Sequence, residues 1–278
     1  MKTFIMGGAR KLSAVIALSL LVPIATPVVA QSVDIRDVVN RPLPQFSESE
    51  IVNPDSSFYR QRGTFAATGA RRTMIEQAAR GVGIRAGFAA EAEQINAIMM
   101  QRYRSVMDRR YSFTPYLLQG GDVIPPVITK ITGVRELPNS RYLYSAQASY
   151  EIVKEPRLST LPPSWMDYVL LPIRDVRPPD NISFEDDAEK TLWREAARGG
   201  WDEGIREARL AFVDAFNVLD RDFEGMRLYH QLAQQGFVTI PQIDIASQPT
   251  RIDANGRRAY VNERVVRIVA GSRFRLRN

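Results

Sequence analysis

Cysteine is absent from all 278 residues. A chain without it forms no disulfide, offers no thiolate to a metal and presents no residue for lipid modification behind an export signal. Histidine occurs once, as His230. A lone imidazole does not begin an ordinary zinc site, and no serine stands in a Gly-x-Ser-x-Gly elbow that would use it as a base. Phosphate-binding loops, calcium loops and zinc-protease helices do not occur. Past residue 30 no apolar run approaches the roughly 20 residues needed to cross a bilayer. Internal repeats are lacking too. These gaps remove most ready-made chemistry, so no catalytic residue, metal or cofactor is expected.

What is present begins with an export signal. Lys2, Arg10 and Lys11 precede an apolar run from Leu12 to Val22, Pro23 interrupts it, and the small residues Val28 and Ala30 stand at −3 and −1 of a cleavage site. The pattern predicts a cleavable signal peptide over residues 1–30, because the run is too short for a membrane anchor. Cleavage removes three of 37 basic residues and none of 31 acids, so the net charge falls from +6 to +3. That mild balance describes a solvated surface, and direct nucleic-acid binding is not expected. The remaining 248 residues suffice for one large domain or two small ones.

Residues 31–65 read as a flexible tether, with Pro42, Pro44 and Pro54 scattered among polar residues and no sustained periodicity. Residues 66–278 then read as an α+β domain: two helical blocks packed with mostly antiparallel strands, ending in a β-hairpin region. The first block spans 66–110, with a stripe at Phe88, Ala92, Ile95, Met99, Tyr103 and Val106. Gly81, Gly83 and Gly87 superficially resemble a dinucleotide fingerprint, but they follow helix rather than strand, so tight helix packing is the better account. Tyr142, Tyr144, Ala146, Ala148, Tyr150 and Ile152 alternate with polar neighbours and predict a half-buried strand. Ser183 and Asp186 form a capping-box signature. After Gly199-Gly200 a stripe runs through Trp201, Ile205, Ala208, Phe212, Ala215, Leu219, Phe223 and Met226, with Gly225 a place for a bend and Gly236 a natural stop. Asp253-Ala254-Asn255-Gly256 predicts a hairpin turn. Beyond it Val266, Ile268, Phe274 and Leu276 alternate with Arg267, Arg273, Arg275 and Arg277.

The acidic residues have structural explanations. Asp220, Asp222 and Glu224 point around a helix rather than together. Asp186, Asp187 and Glu189, and likewise Asp202 and Glu203, are expected in first helical turns, where acids favour the helix dipole. Near a helix C-terminus, His230 suits a dipole or packing role. Arg71-Arg72 and Arg109-Arg110 suit solvated helix faces. Trp165 and Trp201 are expected in the core, with interface anchoring the alternative.

The order of segments resembles one known family. Gly87-Phe88-Ala89-Ala90-Glu91-Ala92-Glu93-Gln94-Ile95-Asn96, then Leu118 through Val123-Ile124-Pro125-Pro126-Val127-Ile128, then Pro162-Pro163-Ser164-Trp165-Met166-Asp167-Tyr168 follow in sequence. Gly200-Trp201-Asp202-Glu203-Gly204-Ile205 and Leu219-Asp220-Arg221-Asp222-Phe223-Glu224-Gly225-Met226-Arg227-Leu228-Tyr229 complete the series, which covers roughly residues 70–270. In that order they resemble the DotC family of type IVB (Dot/Icm-like) secretion and conjugation systems. The resemblance implies a structural subunit, not an enzyme, assembling with DotD- and DotH-like proteins in a ring-like complex at the outer membrane. Members of that family are commonly lipoproteins, whereas Ala30-Gln31 stands here where a lipidated cysteine would be. The chain is therefore expected in the periplasm, reaching the outer membrane through partners. A periplasmic glycan hydrolase with two distant carboxylates and a monomeric periplasmic binding module are the alternatives.

Overall fold

Two long helices form because small and apolar residues recur at three- and four-residue spacing over most of residues 68–110 and 187–234. The computed structural model describes residues 35–42, 68–139, 142–174, 176 and 184–275. The signal peptide, most of the tether, Ser183, Leu276 and Arg277 lie outside them. Helix α1 is Ile35–Val39. Helix α2, Thr68–Ile98, continues through a π-helical turn, Met99–Tyr103, into α3, Arg104–Arg110. Strands β1 (Val123–Ile124), β2 (Val127–Asn139), β3 (Tyr142–Lys154) and β4 (Arg157–Leu158) follow. A short α4, Met166–Val169, precedes α5, Asp187–Gln234, and β5 (Gln242–Ile252) and β6 (Ala259–Ala270) end the described chain. The class is α+β, with three antiparallel two-stranded pairs, β1–β4, β2–β3 and β5–β6, among the described residues.

The helices α2 and α5 run parallel. Partners rise together along both: Arg71 meets Glu189, Arg80 meets Glu203 and Glu91 meets Arg209. Parallel helix dipoles repel weakly, so close packing must offset them. Gly83 and Gly87 on α2 face Gly200 and Gly204 on α5. A Cβ on Gly87 would fall inside the Trp201 carbonyl, and one on Gly204 inside the Ile84 carbonyl. Gly83 and Gly200 abut the Ala197 and Arg80 carbonyls in the same way. Two Gly-x-x-x-Gly faces thus bring the backbones into contact, the small-residue packing best known from membrane helices. Among the described residues, however, no helix is long and apolar enough to cross a membrane.

Below this contact the core widens. Ala92, Ile95, Met99, Tyr103 and Met107 pack with Ala208, Phe212, Phe216, Leu219, Phe223 and Met226, joined by Trp165, Val169 and Leu171 from the segment that returns to the start of α5. Asn96 clamps that segment, donating to the Leu171 carbonyl and accepting from its N–H, both at 2.9 Å. A parallel helix pair needs such a return, and reciprocal amide bonds hold it without sheet structure.

Several expectations change in detail. The π-turn holds one extra residue, so the buried position is Met107, and Val106 is only half-buried. The cap of α5 sits three residues later than expected: Asp186 is the N-cap and accepts from the Glu189 N–H, while Glu189 accepts from the Glu185 N–H. Gly199-Gly200 does not interrupt α5, because Gly200 is pressed against α2; Asp202 and Glu203 therefore lie mid-helix, not in a first turn. The helix is unbroken at Gly225, where Val127 and Ile128 of β2 cross the place its side chain would occupy. Gly236 ends the helix as expected, at φ 78°, with Phe237 N–H reaching the Leu232 carbonyl and Gly236 N–H the Ala233 carbonyl. The β3 face is covered in part: Ala148 and Ile152 are half-buried, Ile152 against the cluster of Ile128 and Tyr229, while Ala146 and Tyr150 are exposed on the two-stranded arm, and the side chains of Tyr142 and Tyr144 lie outside the described ones. Of the residues read as a tether, 35–42 are described. Val38 is buried against the core, and so short a helix needs tertiary contacts to persist.

Gly204→Ala is expected to lower stability by about 3 kcal/mol, because neither backbone can yield. Gly199→Ala, exposed in the same helix with open space around it, is expected to raise stability by about 0.5–1 kcal/mol through helix propensity. Urea midpoints of the two variants read both signs.

Candidate interaction surface

Hairpin β2–β3 leaves the helical body at a well-fixed base. Val127 and Ile128 are buried where β2 crosses α5, and Lys154 at the end of β3 reaches the buried Asp222 carboxylate. Arg221 donates to the other oxygen of Asp222 at 2.8 Å. Burial and the Asp222 charge push the Tyr168 phenol up to about 12. Beyond the base the arm is bare, with Ile131, Tyr150 and Val153 exposed.

Hairpin β5–β6 leaves from the end of α5. Val238 bridges to Phe274, Thr239 and Arg273 exchange backbone and hydroxyl bonds, and Arg264 pairs with Asp122 at 3.0 Å. The turn is the expected one: Gly256 has φ 65°, and the Asp253 carboxylate accepts from the N–H groups of Arg257 and Arg258. Arg267–Asp244 and Arg251–Glu263 tie the strands laterally. Ile245, Ile252, Tyr260, Val261, Val265 and Val269 are exposed along it. The expected alternation holds for half-buried Val266 and Ile268, while Phe274 lies past the strand end and is exposed.

Isolated two-stranded hairpins are marginal in water, their outer edges carry unpaired backbone groups, and contiguous exposed apolar residues mark contact sites. Both arms are two-stranded with open edges, and both expose large apolar residues. By strand addition or face packing they can bind another protein.

The residues weighed for chemistry are otherwise engaged. His230 Nε2 donates to the Tyr116 carbonyl at 2.7 Å, with its ring edge-on to Tyr229. Asp220 accepts from the Tyr111 hydroxyl at 2.9 Å and lies 3.5 Å from Arg110; burial, aided by this carboxylate, pushes the Tyr111 phenol well up. Glu224 pairs with Arg227 along the helix. Asp220, Asp222 and Glu224 thus diverge, as their spacing implied. Asp187 pairs with Lys190, and Glu203 with Arg80. Trp165 is buried and donates Nε1–H to Asp108 at 2.7 Å, and Trp201 is buried beside Ala86 and Ile205, both in core positions. Among the described residues no three His, Asp or Glu side chains cluster to hold a metal.

Sequence reasoning missed Glu91. Fully buried on α2, it receives Arg209 at 3.0 Å and Arg41 at 3.1 Å, while Arg209 also donates to the Arg41 carbonyl. One carboxylate therefore ties α1, α2 and α5 together. Arg71, half of a presumed solvated pair, instead grips Glu189 in a two-point bond at 2.7 and 3.1 Å. Those bonds hold the Glu189 carboxyl below its ordinary 4.5 and raise Arg71.

Residues 69–278 match the family model T4SS TraI, described as type IV secretory system, conjugal DNA-protein transfer; the match runs from the first turn of α2 to the end of the chain. No curated protein matches.

Because the Glu189 pKa is lowered on folding, its bond with Arg71 contributes fully above about pH 4.5 and is lost as pH falls through the folded value. Glu189→Gln is expected to cost about 2 kcal/mol at neutral pH. The gap from the unsubstituted protein should narrow on acidification, read as thermal midpoints across pH.

Proposed function

We propose a structural role for this chain within the family to which it belongs, the type IV secretory system proteins of conjugal DNA-protein transfer. It is a DotC-like subunit that assembles with DotD- and DotH-like proteins into a ring-like complex at the outer membrane, through which DNA or protein substrates leave the cell. It is exported by its signal peptide, works in the periplasm without an enzymatic step, and associates with the membrane through its partners. The observation that carries this reading is the pair of bare arms on a rigid base: a protein that keeps two apolar hairpins uncovered has surfaces suited to neighbours. The engagement of His230 and the carboxylates in packing and ion pairs agrees with an assembly role.

A tagged chain pulled from detergent-solubilised envelopes is expected to bring DotD- and DotH-like proteins with it in one large particle, identified by mass spectrometry. A clean monomer, under conditions that keep other envelope complexes intact, contradicts the proposal. In a strain lacking those partners the chain is expected to leave the outer-membrane fraction for the soluble periplasm, and its persistence at the membrane contradicts partner-borne attachment.

A further inference from the structure

Charge is distributed unevenly along this chain. From residue 241 to the end there are eight arginines and three acids, a net of +5, whereas residues 31–240 carry −2. Hairpin β5–β6 itself, residues 242–270, holds five of these arginines and all three acids, a net of +2, and Arg273 and Arg275 follow it at its base. Arg257 and Arg258 at its tip and Arg273 at its base have no ion pair among the described residues. Along β6, Val261, Val265 and Val269 recur every fourth residue at 69, 47 and 51% exposure. The site thus asks for an occupant that is extended, acidic and partly apolar. Lipid fits poorly, because an open hairpin would carry unpaired backbone edges into a medium that cannot satisfy them. A second hairpin of the same kind is excluded by like charge.

The chain itself contains a matching segment. Residues 43–59 hold Glu48, Glu50 and Asp55 and no basic residue, a net of −3, with Phe46, Ile51 and Val52 among them. Pro44 and Pro54 bracket nine residues, about 30 Å if extended, enough to span Val261 to Val269 of β6. Its own hairpin is out of reach. The segment starts beside Arg41, held at the level of Arg209, and must return to Thr68, near Glu189. The base of the hairpin lies beside Tyr229, near Ser272, and travelling from Arg209 to Tyr229 and back to Glu189 takes roughly 90 Å at the helical rise. The 26 links between residues 42 and 68 span at most about 90 Å. No length is left to lie along the hairpin.

We propose that residues 43–59 of one copy dock on hairpin β5–β6 of the next, linking copies head to tail. Such a contact is heterologous, so it builds rings or open chains rather than closed dimers. This inference stands on charge and chain length and requires no other envelope protein, so its failure would leave the proposed membership of a larger complex untouched.

The test uses the purified exported protein and light scattering behind size exclusion. At low salt it is expected to self-associate beyond the dimer, and high salt should weaken association at least tenfold. E48R/E50R and R257E/R258E should each be monomeric with unchanged circular dichroism, while mixing the two should restore association beyond the dimer, since the segment of each variant complements the hairpin of the other. Combining all four substitutions in one chain should restore association. A monomeric parent protein at low salt, or R257E/R258E associating as the parent does, overturns the proposal.

Discussion

The contact on which the structure depends is the backbone-to-backbone approach of α2 and α5 at Gly83, Gly87, Gly200 and Gly204. Parallel helices are electrostatically the poorer choice, and they require a long return segment. Once the glycines bring the axes together, the carboxylates and guanidiniums on either flank come within bonding distance, and three ion pairs follow along the two helices. The wider core below accommodates the aromatic residues. Trp165, Phe113, Tyr111 and Phe223 fill the space that separates the helices once their small residues end.

This rigid pair determines where the arms stand. Gly225 lets β2 cross α5 directly, and Asp222, buried and doubly paired, fixes the far strand of the same hairpin. Gly236 turns the chain out of α5 into the second hairpin. Thus glycines on α5 or just past its end govern, in order, the helix pair, the first arm and the second. On the proposed role both contact surfaces are held by one helix, since β2 crosses α5 at Gly225 and the second hairpin follows the turn at Gly236.

Much of this was legible in the residues. The α5 stripe from Trp201 to Met226, the stop at Gly236, the Asp253–Gly256 turn and the α+β class all follow from periodicity and turn chemistry, which are local. What was not legible depends on contacts distant in sequence. Gly200 reads as a break until Arg80 lies against it, and Glu91 reads as a surface acid until Arg41 and Arg209 converge on it. The β3 alternation predicted a buried face because alternation reports a two-faced strand without saying what covers it. The signal available was the pair Gly83-x-x-x-Gly87 and Gly200-x-x-x-Gly204, whose equal spacing marks two surfaces made for each other.

The central claim is that the arms, and not the helical body, are the surfaces through which this subunit meets the secretion machinery. Photo-cross-linking in living cells tests it most directly, with the reactive residue placed at Ile131 of β2, at Val265 of β6 and, as a control, at the exposed Asp214 of α5. The account predicts cross-links to other secretion-system components or to a second copy from both arms and none from Asp214. Arms that give no cross-links while Asp214 does would contradict it.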